Sequence, residues 1–148
     1  MVNTDSSTFK ASMPFLQNLK EKVRNLGRNN AFSKYRVDDD VQKLFLALSE
    51  GNLRLARILI EGYVDVNCKD YSGSTPLITV CKLYDRSTEL SVVNFVKFLL
   101  DRRVIIGEKD VFGRTAVDYA KKNGLNLIRQ LLYAALEVDF LEYALTIF

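Results

Sequence analysis

Histidine is absent from this chain of 148 residues. That absence removes His-dependent triads, His general bases and the commonest zinc ligand in one step. Cysteine is scarce as well: Cys68 and Cys81 could make at most one disulfide, and their spacing suggests neither a disulfide framework nor a four-ligand metal site. Two reduced thiols are the expected state, which places the protein in the cytoplasm, the nucleus or both. Gly73 and Gly113 are single turn glycines, so no glycine-rich loop is present to cradle a phosphate. No apolar run approaches the roughly 18 residues of a membrane span. The amino terminus lacks the apolar segment and cleavage site of a secretory signal, and Asp5 and Glu21 count against a mitochondrial presequence.

What is present is the composition of a folded soluble domain, with 48% hydrophobic and 26% charged residues. The charge is unevenly placed. Residues 1–36 hold seven Lys or Arg against two acids, while the whole chain nets only +3, so the remainder is net acidic. Within this basic leader a helix is expected over about 12–26: Pro14 suits a first turn, Phe15, Leu16, Leu19, Val23 and Leu26 recur at near-helical spacing, and Gly27 stops it. A linker follows to residue 36. Asp38, Asp39 and Asp40 then fall at the start of the next helix, where carboxylates favour the positive end of the dipole; three successive positions diverge too much to cage a metal.

A recurring series of signals organises the body. Asp110-Val-Phe-Gly-Arg-Thr115 gives a turn and a helix cap, a short apolar-faced helix follows, Asn123-Gly124 stops it, and a second apolar-faced helix runs through Leu132. Forty residues earlier, Asp70-Tyr-Ser-Gly-Ser-Thr75-Pro76 repeats the Asp, Gly and Thr. Leu44, Ala47 and Gly51 mark a degenerate earlier copy. A unit this small cannot bury its apolar face alone and needs neighbours of the same kind.

On these residues the chain resembles ankyrin-repeat proteins, whose repeat of about 33 residues holds a turn, Thr-Pro-Leu-His-x-Ala and two antiparallel helices. The resemblance implies an all-α, ankyrin-repeat helical solenoid, preceded by the amphipathic leader helix. Three repeats are expected, over 37–69, 70–109 and 110–138, with an apolar helical tail or cap at 139–148. The second repeat is longer by about seven residues, placed around Tyr84 to Ser91. Where the family has His this chain has Phe45, Ile78 and Asp118, so the family's Thr-His hydrogen-bond ladder is missing. Where the family has Gly after the second helix it has Tyr63 and Arg103, so those loops should be strained, distorted or shifted to Gly62.

No motif places an activating base beside a nucleophile, so a non-enzymatic protein without cofactor or metal is expected. The resemblance implies a protein-protein interaction module or adaptor that grips its partner with turn tips and concave inner helices. Carried over position by position, this selects Tyr71, Ser72, Ser74, Lys82 and Leu83 in the second repeat and Val111, Phe112, Arg114, Lys122 and Asn123 in the third. Tyr84 and Arg86 on the insertion form a second candidate surface. The basic leader leaves an alternative open: residues 12–26 target an anionic membrane surface or a calmodulin-type receptor, or else cap the first repeat. Nucleic-acid binding is disfavoured, since the body is net acidic and no aromatic-interleaved basic motif appears. The tail, with Phe140, Leu141, Tyr143, Leu145 and Ile147, either folds over the open end of the stack or contacts another chain, including a second copy.

Overall fold

A computed structural model describes residues 38–147, and the expected leader helix and linker lie outside them. Six helices and no strand are found among the described residues: α1 (Asp39–Ser49), α2 (Leu53–Gly62), α3 (Pro76–Leu83), α4 (Glu89–Asp101), α5 (Ala116–Lys122) and α6 (Asn126–Ile147). In the second and third repeats a short helix precedes a longer one, 8 before 13 residues and 7 before 22. Short α3 packs on short α5, while α2, α4 and α6 form a second row, α4 against both of its neighbours. The core runs between the rows and is mainly apolar, with Leu44, Leu48, Leu77, Val80, Val92, Val96, Leu99, Leu125, Ile128 and Leu132 fully enclosed. Burial on this scale dominates the stability of a stack in which all helices but α6 are too short to persist alone.

Three of the helix starts are marked by a side-chain cap. The Asn52 side chain accepts from the Leu55 N–H at the head of α2, and Thr75 accepts from the Ile78 N–H at the head of α3, where Pro76 occupies the first helical position. Thr115 and Asp118 exchange bonds in a full capping box on α5. Thus Asp118, one of the positions where the family has His, serves its own helix. Ile78, another, is sealed in the core.

The repeats are tied together by other means. Asn123 of the third repeat donates its side-chain amide to the Cys81 carbonyl at 2.7 Å and the Lys82 carbonyl at 3.3 Å, closing the end of α3. Ile105 N–H donates to the Asn67 side chain at 2.8 Å. Buried Glu89 reaches across to accept the Ile128 N–H at 3.1 Å, capping the first turn of α6 from the neighbouring repeat.

Glu89 belongs to the insertion, which divides into two parts. Tyr84 to Thr88 form a loop built on Asp85, whose carboxylate accepts from Ser87 and Thr88; from Glu89 the extra residues join α4, which has 13 residues against 10 in α2. The loop lies along the interhelix turns of both neighbours: a side chain on Gly51 would meet the Tyr84 hydroxyl at 3.7 Å, and one on Gly124 would meet Arg86 Cβ at 3.5 Å.

The two positions expected to strain behave differently. Arg103 adopts the left-handed conformation at φ 58°, which costs an L-residue about 1–2 kcal/mol. Tyr63 avoids it with φ −170°, and Gly62 remains inside α2 without a positive φ, so no shift onto Gly62 occurs. The tail continues α6 without a break to Ile147. Its far half runs past the stack, with Phe140, Leu141, Tyr143 and Leu145 exposed.

Candidate functional site

The turns at Asp70 and Asp110 are built alike. The Asp70 carboxylate accepts the Ser72 N–H at 2.9 Å and the Ser74 N–H at 3.0 Å, and the Asp110 carboxylate accepts those of Phe112 and Arg114, both at 3.0 Å. In each turn the glycine N–H donates to the Asp carbonyl and the Asp N–H donates to the carbonyl four residues on. Gly73 and Gly113 sit at φ +72° and +73°, which only glycine adopts without strain. The turns also bond to each other, Val111 N–H donating to the Ser72 carbonyl at 2.8 Å. A side chain on Gly73 would stand 3.3 Å from that same nitrogen, so this glycine permits the close approach of successive repeats.

Beneath the tips lies a polar network. Asp110 is buried, and its second carboxylate oxygen receives the Tyr119 hydroxyl and lies 3.7 Å from the Lys82 ammonium. Lys82 also donates to the Ser74 hydroxyl at 2.6 Å and sits 5.2 Å from the centre of the Tyr119 ring. The Arg114 guanidinium lies 5.9 Å from the same ring. Desolvation pushes the Asp110 pKa upward, but hydrogen bonds from Tyr119, Arg114 and Phe112 together with the Lys82 charge outweigh it and hold the carboxyl below its usual range. Tyr119 moves the other way, raised by burial and by its bond to the Asp110 charge.

The twelve residues selected from the sequence therefore occupy three environments. Tyr71, Val111, Phe112 and Arg114 are exposed on the tips, Tyr71 by 84% and Phe112 by 71%, well beyond what a side chain packed on its neighbouring turn would show. Ser72, Ser74 and Lys82 lie beneath, where Ser74 is fully enclosed and its hydroxyl is held by Lys82. Leu83, Tyr84, Arg86, Lys122 and Asn123 cluster at the opposite end of the inner helices, Leu83, Arg86 and Lys122 exposed, Tyr84 and Asn123 half-buried. Asp110, Tyr119 and Glu89 escaped selection. The first reads locally as a turn residue, the second as one apolar position of α5, and the third as part of a solvated loop.

Among the described residues no group of three or more His, Cys, Asp and Glu is placed to hold a metal ion. No helix among them is long and apolar enough to cross a membrane. Burial pushes the Cys81 thiol up to about 12, so it stays protonated and unreactive near neutrality.

Comparison with known proteins agrees with this architecture. Residues 44–141 match the family described as ankyrin repeats (3 copies). An ankyrin repeat protein of Acanthamoeba polyphaga mimivirus is 33% identical over 69 residues, 47% of this chain but 11% of that protein. Among solved structures, an ankyrin repeat domain from Acinetobacter baumannii is 27% identical with a TM-score of 0.56, covering 62% of this chain and 46% of that one. A chain in the structure of a predatory endopeptidase from Bdellovibrio bacteriovorus in complex with immunity protein is 28% identical with a TM-score of 0.52, covering 62% and 45%. The protein thus spans less than half the length of these relatives. Ankyrin repeats are generally protein-protein interaction modules and typically non-catalytic. By its turns, its paired helices and the family match over two-thirds of its length, the chain belongs to the ankyrin-repeat family.

Proposed function

We propose that this protein is a non-catalytic adaptor that captures a protein partner on the tips of its second and third repeats. The observation that carries this reading is the contrast at the tips. Tyr71, Val111 and Phe112 expose apolar surface on backbone fixed by two Asp-centred turns and an inter-repeat hydrogen bond. Aromatic side chains lose little conformational entropy on binding, and aromatic and Arg side chains dominate interface energetics. Ser72, Ser74 and Lys82 support the surface from below, and Leu83 and Lys122 extend it along the inner helices. The similar repeats in the structure of the endopeptidase in complex with immunity protein support a protein partner.

Affinity capture with the parent protein and with the Phe112→Ala, Arg114→Ala double variant tests the assignment. Loss of the captured partner without loss of helical content is expected. Retention of the partner by the double variant would refute it.

A further inference from the structure

The last helix changes character along its length. Ile128, Leu132 and Ala135 of α6 face the core, the first two fully enclosed. One, two and three turns further on, the same helical face carries Asp139, Glu142 and Thr146. The apolar residues have rotated away from the stack: Tyr133, Leu136, Phe140, Tyr143 and Ile147 recur in alternating steps of three and four, and all are exposed. That spacing is the seam of a coiled coil, the arrangement that accepts one further helix. A groove of about 510 Å³ already opens along it, lined by Tyr133, Leu136, Glu137, Phe140 and Leu141.

Charge selects the occupant. Glu137 borders the seam on one side and Asp139 on the other, Glu142 stands on the far face, and no Lys or Arg follows Arg129 in the sequence. Among the described residues, none of these three carboxylates takes part in a salt bridge. Pairing of α6 with the α6 of a second copy would bring carboxylates against carboxylates, and an anionic lipid surface would meet the same repulsion. A helix with Lys or Arg flanking its own apolar seam meets opposite charge on both sides.

We propose that the C-terminal half of α6 docks a basic amphipathic helix of a partner protein, apolar seam against apolar seam with its cations beside Glu137 and Asp139. This surface is separate from the turn tips, so the two bind independently.

The test uses the full chain and two labelled amphipathic peptides with identical Leu/Ile seams, one flanked by Lys and the other by Glu. Fluorescence anisotropy should show the Lys peptide binding, the Glu peptide binding at least about tenfold more weakly, and the Lys complex weakening as salt rises from about 0.05 M to about 0.5 M. Phe140→Glu should abolish binding. Glu137→Lys, Asp139→Lys and Glu142→Lys together should reverse the preference between the peptides. These positions lie outside the core, so each variant should unfold at the parent's temperature. Equal binding of both peptides, failure of the charge variant to reverse the preference, or sedimentation showing self-association in place of peptide binding would overturn the proposal.

Discussion

The turn beginning at Asp70 and the turn beginning at Asp110 share their backbone bonds, their glycine and their outward apolar residue, yet they are fastened differently. Asp70 is half-buried, and its carboxylate bonds are to Ser72 and Ser74 of its own turn. Asp110 is enclosed and reaches beyond its turn, to Tyr119 of its own helix α5 and to Lys82 of the preceding repeat. The first turn is therefore a local device and the second a junction. A stack of small repeats is only as cooperative as its nearest-neighbour interfaces, and here the Thr-His pattern that the family uses has given way to a buried carboxylate with a cation from the adjacent repeat.

The largest expected effect sets the two aspartates against each other. Asp110→Ala leaves the Tyr119 hydroxyl and two turn N–H groups without their acceptor and removes the carboxylate facing Lys82, whereas Asp70→Ala strips only its own turn. Urea unfolding should therefore show a much lower midpoint for Asp110→Ala than for Asp70→Ala. Equal midpoints would break the distinction.

Acid should expose the same asymmetry. A carboxyl with a folded pKa below its unfolded value of about 3.9 contributes stability that is complete above that value and is lost as pH falls through the folded one. Asp110 meets this description, as do Asp85 and Asp118 through their bonds to Ser87, Thr88 and Thr115. Stability should be flat near neutrality and decline below about pH 4. Asp110→Asn should flatten part of that decline, and a pH profile parallel to the parent's would contradict the role given to this carboxylate.

The glycines discriminate more finely. Gly73→Ala and Gly113→Ala each place an L-residue in the left-handed region, at about 1–2 kcal/mol. Only at Gly73 does the new methyl also press on Val111 N, while nothing lies within 4 Å of the corresponding point at Gly113. Gly73→Ala should be the more destabilising in a thermal melt; the reverse order would show that turn-to-turn contact is not what fixes this glycine.

The comparison also shows which features can be read from a sequence. The turns, the Thr75 and Thr115 caps, Pro76 and the helix periods are legible because each is settled within about four residues of chain. The core follows from the same periods. What is not legible is set by distance along the chain: Lys82 meets Asp110, Asn123 meets the Cys81 carbonyl and Glu89 meets the Ile128 N–H only once the repeats have stacked. So Lys82, Ser74 and Asn123, chosen as surface contacts by their positions in the motif, turn out to be engaged between or beneath the repeats. The apolar tail at 139–148, expected either to fold over the open end or to contact another chain, prolongs α6 as far as Ile147. Its apolar residues suggest a cap only until the rotation of the apolar face away from the stack is seen.

The smallest expected effect on stability belongs to the tip itself. Phe112→Ala with Arg114→Ala removes side chains that are exposed, so unfolding should stay within about 0.5 kcal/mol of the parent at each position. Binding should respond oppositely. The most direct measurement replaces Phe112, Tyr71 or, as a control on the outer row, exposed Lys97 with a photo-crosslinking amino acid, followed by irradiation in cells and mass spectrometry of the adducts. A common partner crosslinked from positions 71 and 112 and not from 97 is the predicted result. A partner crosslinked from 97 alone, or equally from all three, would contradict the claim that the turn tips are where this protein binds.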